Sequence, residues 1–197
     1  ATAAYRPDRA PKIREIIVES ASAAPTFRIT PILPASMPSS IRLTISRGIT
    51  TSITTNYFGY QTTGAAAGSG FILTADGYIL TNYHVVESSD SIKVTTYDGT
   101  SYDAQLIGYD ESNDIAVLKI DAADLTPVVL GDSDTLNVGD SVVAIGNPLG
   151  ELTFSLTTGV VSALDRPVTF STGSTMNLIQ TDCAINSGNS GGALFNL

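Results

Sequence analysis

Near the end of the 197-residue chain a serine stands among glycines, in Thr181-Asp182-Cys183-Ala184-Ile185-Asn186-Ser187-Gly188-Asn189-Ser190-Gly191-Gly192. Gly188 and Gly191 open backbone conformations closed to other residues. A turn built on them aims successive N–H groups at one point, an anion nest. If Ser190 attacks a carbonyl, the N–H groups of Gly188, Asn189 and Ser190 are the expected donors to the developing oxyanion. A serine hydroxyl is a weak nucleophile until a base takes its proton. The chain holds a single histidine for that task, His84, in Leu80-Thr81-Asn82-Tyr83-His84-Val85-Val86. It would have to be neutral at rest, take the serine proton and return it to a leaving amine. Asp114 sits at the mouth of the apolar run Ile115-Ala116-Val117-Leu118-Lys119-Ile120, where a buried carboxylate needs a partner. The second imidazole nitrogen is such a partner. Taken singly, the three also read as a glycine-rich turn, a structural histidine and a strand-end aspartate.

Their order decides between the readings. His84, Asp114 and Ser190 follow the chain order of the chymotrypsin type of catalytic triad, not that of subtilisins or α/β-hydrolases. The segments around them extend the likeness. Gly68-Ser69-Gly70-Phe71-Ile72, Asp76-Gly77-Tyr78-Ile79-Leu80-Thr81-Asn82-Tyr83-His84-Val85-Val86 and Asn113-Asp114-Ile115-Ala116-Val117-Leu118-Lys119 come first. Gly131-Asp132-Ser133, Val138-Gly139-Asp140, Ala144-Ile145-Gly146-Asn147-Pro148-Leu149-Gly150 and Gln180-Thr181-Asp182 follow, leading into the serine turn. From about Gly68 to Leu197 the chain thus resembles the protease domain of the HtrA/Deg family of trypsin-like serine proteases. The resemblance implies an all-β, trypsin-like double β-barrel and a serine endopeptidase acting on unfolded or misfolded polypeptides, without cofactor or metal. It also implies a trimer-based homo-oligomer and an extracytoplasmic, cell-envelope or membrane-anchored location. Residues 165–176 correspond to a regulatory sensor loop in that family, and Ser171-Thr172-Gly173-Ser174-Thr175 suits an exposed loop.

The chain departs from the family pattern at both ends. It stops seven residues after Ser190, before the strands that complete the second barrel and before any PDZ domain. It therefore reads as a fragment whose second barrel is incomplete. Residues 1–40 match nothing in the family and are read as an unassigned, linker-like or misread segment. Residues 41–130 form the expected N-terminal barrel with His84 and Asp114, and 131–197 a partial C-terminal barrel with Ser190.

Composition supports a core of this size, with 43% hydrophobic residues. No apolar run approaches the roughly 18 residues of a membrane span, and nothing at the start reads as a signal peptide. One cysteine rules out an intrachain disulfide, and one histidine with one cysteine leaves too few ligands for a zinc site of the usual kind. Cys183 is expected as a small buried side chain, and Asp182 either orders its loop or lines the cleft. The net charge of −9 divides into +4 over residues 1–47 and −13 over the remainder. An acidic body argues against nucleic acid as a partner, since phosphate contacts need clustered Lys and Arg.

Six of the nine prolines fall within residues 1–38, which breaks any long element there. Pro11–Glu19 carries Ile13, Ile16 and Ile17 on one helical face and predicts a short helix. Ile41, Leu43 and Ile45 alternate with polar residues as in a strand. From Gly68 onward short strands rich in Val, Ile and Thr recur, with Ala75-Asp76-Gly77 and Asp98-Gly99 as hairpin turns. The only helix expected beyond them is a turn following His84.

Two further functions remain open on sequence. One is the glutamyl-endopeptidase branch of the same fold, which shares the Thr-Asn-x-His-Val-Val start. Gly191-Gly192 and Gly146-Asn147-Pro148-Leu149-Gly150 favour HtrA over it. The other is a non-catalytic holdase chaperone, which would have no need of all three triad residues.

Overall fold

The computed structural model describes residues 15–18, 27–33, 45–57, 60–147, 155–170, 175–186 and 188–196. Six antiparallel strands close a first barrel: β3 (Ile45–Tyr57), β4 (Tyr60–Ile72), β5 (Tyr78–Thr81), β6 (Ser91–Thr95), β7 (Ser101–Asp110) and β8 (Ile115–Ile120). Their order around the ring is β3-β4-β5-β8-β7-β6, and β3 paired with β6 closes it. Period-two alternation places one face of each strand inside. In β8, Ala116, Leu118 and Ile120 point inward, and in β6, Ile92 and Val94 do the same. With Ile49, Ile72 and Ile79 they fill the barrel. Burying each such aliphatic side chain contributes about 1.5–3 kcal/mol.

The second sheet is built from β9 (Ser141–Gly146), β10 (Ser155–Thr169), β11 (Thr175–Thr181) and β12 (Ala193–Asn196). Residues 131–197 thus supply a half-barrel. Two strands from the segment that sequence leaves unassigned complete the ring. β1 (Glu15–Val18) pairs in parallel with β11, β2 (Phe27–Leu33) in parallel with β12, and the two pair antiparallel with each other. The order becomes β1-β11-β10-β9-β12-β2. Val142, Ala144, Val161, Ile179, Cys183, Ile185 and Leu194 form its core.

The helix expected over Pro11–Glu19 is corrected: Glu15–Val18 is a strand. Ile16, Ile17 and Val18 are β-branched residue types that suit a pleated surface, and pairing with β11 and β2 takes up the backbone of the segment. Pro31 is accommodated within β2 because the register against β12 shifts from Ala193↔Thr30 to Leu194↔Ile32, passing it over. Of the strand expected around residues 41–45, 41–44 lie outside the described residues, and β3 begins at Ile45. Both hairpin turns fall where the sequence puts them. No helix among the described residues is long and apolar enough to cross a membrane.

A third apolar cluster joins the barrels. Phe71 and Leu80 of β4 and β5 pack with Val143, Ile145, Ala193 and Phe195 of β9 and β12. The segments carrying the candidate residues lie along this seam.

Candidate active site

His84 stands in a single helical turn, α1 (Tyr83–Val86), that follows β5 directly. Val85 and Val86 anchor the turn in the first core, which leaves the His84 side chain 40% exposed. Asp114 closes the turn between β7 and β8 with a left-handed backbone, φ +51°, a conformation aspartate tolerates better than most residues. Asp110 shapes that turn by accepting from Asn113 N–H at 3.1 Å and from its Nδ2 at 2.7 Å. Asp114 is buried, and both carboxylate oxygens are engaged by His84. Oδ2 lies 2.7 Å from Nδ1 of the ring, and Oδ1 accepts the His84 backbone N–H at 2.8 Å. This two-point grip fixes both the position of α1 and the orientation of the imidazole. It favours the tautomer with the proton on Nδ1 and the Nε2 lone pair free.

The Ser190 turn is buried against the first barrel. Gly188 and Gly191 have φ of +96° and +80°, as the glycine spacing required. Gly191 is doubly constrained, because a Cβ there would strike Ser69 O and Thr81 Oγ1. Its N–H donates to Asn82 Oδ1 at 2.7 Å, and Asn82 Nδ2 donates to Asp114 O at 2.8 Å. One fully buried side chain, two residues before His84, therefore ties the aspartate turn to the serine turn. The Ser190 carbonyl accepts from Ser69 N–H at 2.7 Å. His84 and Asp114 are in direct contact, and the Ser190 turn is docked on the segment that carries them. Among the described residues no hydrogen bond joins Ser190 to the His84 ring, a looseness common before substrate binds.

Of the three N–H groups expected as oxyanion donors, that of Asn189 is corrected. It donates to Asn186 O at 3.1 Å, closing a turn, and so is already engaged. Among the described residues the N–H groups of Gly188 and Ser190 carry no hydrogen bond, which makes them the pair available to an anion. Asp182 orders its loop by accepting from Val160 N–H at 2.7 Å. Cys183 is buried in the second core, as expected of a small structural side chain. Residues 165–169 and 175–176 belong to the antiparallel pair β10–β11, and 171–174 lie outside the described residues. Among the described residues no group of three or more His, Cys, Asp or Glu side chains is arranged to hold a metal. Sequence reading gave no role to Asn82 or Ser69, although both lie within motifs it singled out.

Fold and site together define a two-barrel peptidase architecture, and the chain belongs to the trypsin-like peptidases: the model of the trypsin-like peptidase domain matches residues 68–197. Within that class its relatives are of HtrA/Deg type. It is 53% identical over 130 residues to a probable periplasmic serine endoprotease, DegP-like, of Halomonas elongata, covering 66% of this chain and 27% of that protein. It is 50% identical over 132 residues to a probable periplasmic serine protease, do/HhoA-like, of Haemophilus influenzae, covering 66% and 28%. Among solved structures, the HtrA-type protease AlgW with a tripeptide superposes with a TM-score of 0.70 at 39% identity, covering 80% of this chain and 48% of that one. The chain thus spans about a quarter of the length of these curated relatives.

Proposed function

We propose that the protein is a serine endopeptidase of HtrA/Deg type that cleaves unfolded or misfolded polypeptides outside the cytoplasm. The observation that carries this reading is the pairing of both Asp114 carboxylate oxygens with His84, at 2.7 and 2.8 Å, beside a glycine-bounded serine turn. In this mechanism Ser190 Oγ forms a bond to the scissile carbonyl carbon as its proton passes to His84 Nε2. The carbonyl oxygen becomes an oxyanion that the N–H groups of Gly188 and Ser190 receive. His84 then hands the proton to the departing amine as the C–N bond breaks. A water molecule, deprotonated by His84, releases the acyl group and restores Ser190. Asp114 holds the tautomer and stabilises the imidazolium in both halves. The extracytoplasmic location draws support from relatives named periplasmic. The trimer-based assembly rests on the family resemblance.

The test is cleavage of casein and labelling by a fluorophosphonate probe, using the protein at its natural full length. Both are expected for the wild type, and both are lost in Ser190→Ala. Cleavage that persists in purified Ser190→Ala overturns the assignment. A holdase would suppress aggregation without being labelled.

A further inference from the structure

We infer that Ser69 is a positioning residue for the oxyanion site, setting from the first barrel the peptide planes that the second barrel uses in catalysis. The inference rests on the serine-peptidase reading above and deepens it. Ser69 lies on β4, fully buried, and each of its polar groups has a partner. Its N–H donates to Ser190 O at 2.7 Å. Its Oγ donates to Gly188 O at 2.7 Å and accepts Asn147 N–H at 2.8 Å. Its own carbonyl accepts from Thr81 Oγ1 at 2.7 Å.

The three consecutive peptide planes of the turn show what this achieves. A peptide unit is rigid and planar, so its C=O and N–H point in opposite directions. In the plane between Gly188 and Asn189, the carbonyl is held by Ser69 Oγ and the N–H by Asn186 O. In the plane between Ser190 and Gly191, the carbonyl is held by Ser69 N–H and the N–H by Asn82 Oδ1. The plane between them is held, among the described residues, at its carbonyl alone, by Gly192 N–H at 2.8 Å, which leaves the Ser190 N–H open to an oxyanion. Two planes pinned at both ends thus force the third to present its donor. Among the described residues only the Ser69 hydroxyl supplies the Gly188 pin, and its second bond to Asn147 couples that pin to the end of β9. Removing the hydroxyl leaves a buried carbonyl and a buried N–H without partners. It also frees the Gly188–Asn189 plane to rotate, which spoils the preorganisation on which oxyanion binding depends.

The test compares wild type, Ser69→Ala and Ser69→Cys at natural full length on one peptide substrate. Each is also measured with a peptide aldehyde, which forms a tetrahedral adduct, and with an uncleaved product-like peptide. For Ser69→Ala, kcat is expected to fall about 10- to 100-fold, less than the roughly 10²–10³-fold loss on removing a direct donor. Affinity for the aldehyde should fall by the same factor, while KM and the product-like peptide's affinity stay within about twofold. Ser69→Cys, a weak donor of similar size, should lie between. Unchanged kcat and aldehyde affinity overturn the inference, and so does a parallel loss of product-like peptide binding, which marks a merely structural residue. If Ser69→Ala does not fold, Ser69→Cys decides by the same ratio of aldehyde to product-like affinity. Wild-type protein that neither cleaves nor labels would overturn the peptidase reading instead, a result independent of any Ser69 variant.

Discussion

Asp114 makes two different demands on its carboxylate, and that makes it the sharpest single-residue test. One oxygen accepts a ring N–H and the other a backbone N–H, so both must be acceptors. An asparagine side chain in its place would have one acceptor and one donor. It can keep the backbone bond only by turning its NH₂ toward Nδ1, which imposes the wrong tautomer. Asparagine tolerates the left-handed conformation, so Asp114→Asn is expected to fold normally and to lose about 10⁴-fold in kcat, as in template proteases. Steady-state kinetics with a thermal melt checks this, and a loss under tenfold would remove Asp114 from the mechanism. The residue types proposed at 84, 114 and 190 were legible because acyl transfer calls for a nucleophile, a base and a carboxylate that orients the base. The direction of the Asn189 N–H was not, since it depends on how the turn closes onto Asn186.

At the scale of elements, α1 sits where it does because β4 has no side chain beneath it. A Cβ on Gly68 would lie 2.5 Å and 2.8 Å from the two methyl groups of Val85 and 3.3 Å from Ser190 O. Gly68→Ala therefore pushes the histidine turn away from the strand. It should cost about 1–3 kcal/mol of stability by overpacking and reduce kcat more than KM, both measurable by denaturant titration and kinetics. The β6–β7 hairpin carries its own device. Asp98 accepts from Thr100 N–H at 3.0 Å and from Thr96 Oγ1 at 2.7 Å, and these bonds, the backbone one foremost, hold its pKa below the ordinary 3.8. A lowered folded-state pKa means stability that is present above the unfolded value and lost as pH falls through the folded one. Asp98→Asn should thus lower the urea midpoint at pH 7 and converge with wild type below the ordinary carboxylate range. A gap that persists in acid would show that the bonds do not depend on the charge. Turn chemistry of this kind is local, which is why Asp98-Gly99 announced a hairpin. The apolar spacing around Glu15–Val18 fits both helix and strand periods, and pairing with β11 decided for the strand.

For the molecule as a whole, the seam between the barrels holds the Ser190 turn against the segment that carries His84. Phe71 is fully buried there, and Phe71→Ala should cost about 3–5 kcal/mol, a large share of the roughly 5–15 kcal/mol typical of a folded domain. Activity should fall in the remaining folded protein, because the seam positions the Asn82 and Ser69 bonds. Retained activity at a lowered melting temperature would separate packing from alignment. The N-terminal strands give a second test. β1 and β2 cover the edges of β11 and β12, and exposed edges template aggregation. Deleting residues 1–33 from the 197-residue chain should lower its melting temperature and raise light scattering. An unchanged melt would show that those edges need no cover.

The amino-acid order alone determined the glycines of the turn and the all-β character, and it proposed three residues for the chemistry. Each follows from local constraints: allowed dihedrals, period-two alternation and the residue types that acyl transfer requires. Tertiary structure decided what connects them. Ser69 meets Gly188 across 119 positions and Asn82 meets Gly191 across 109, contacts that no local pattern encodes. They exist because two barrels pack along one apolar seam and bury polar groups that must find partners there.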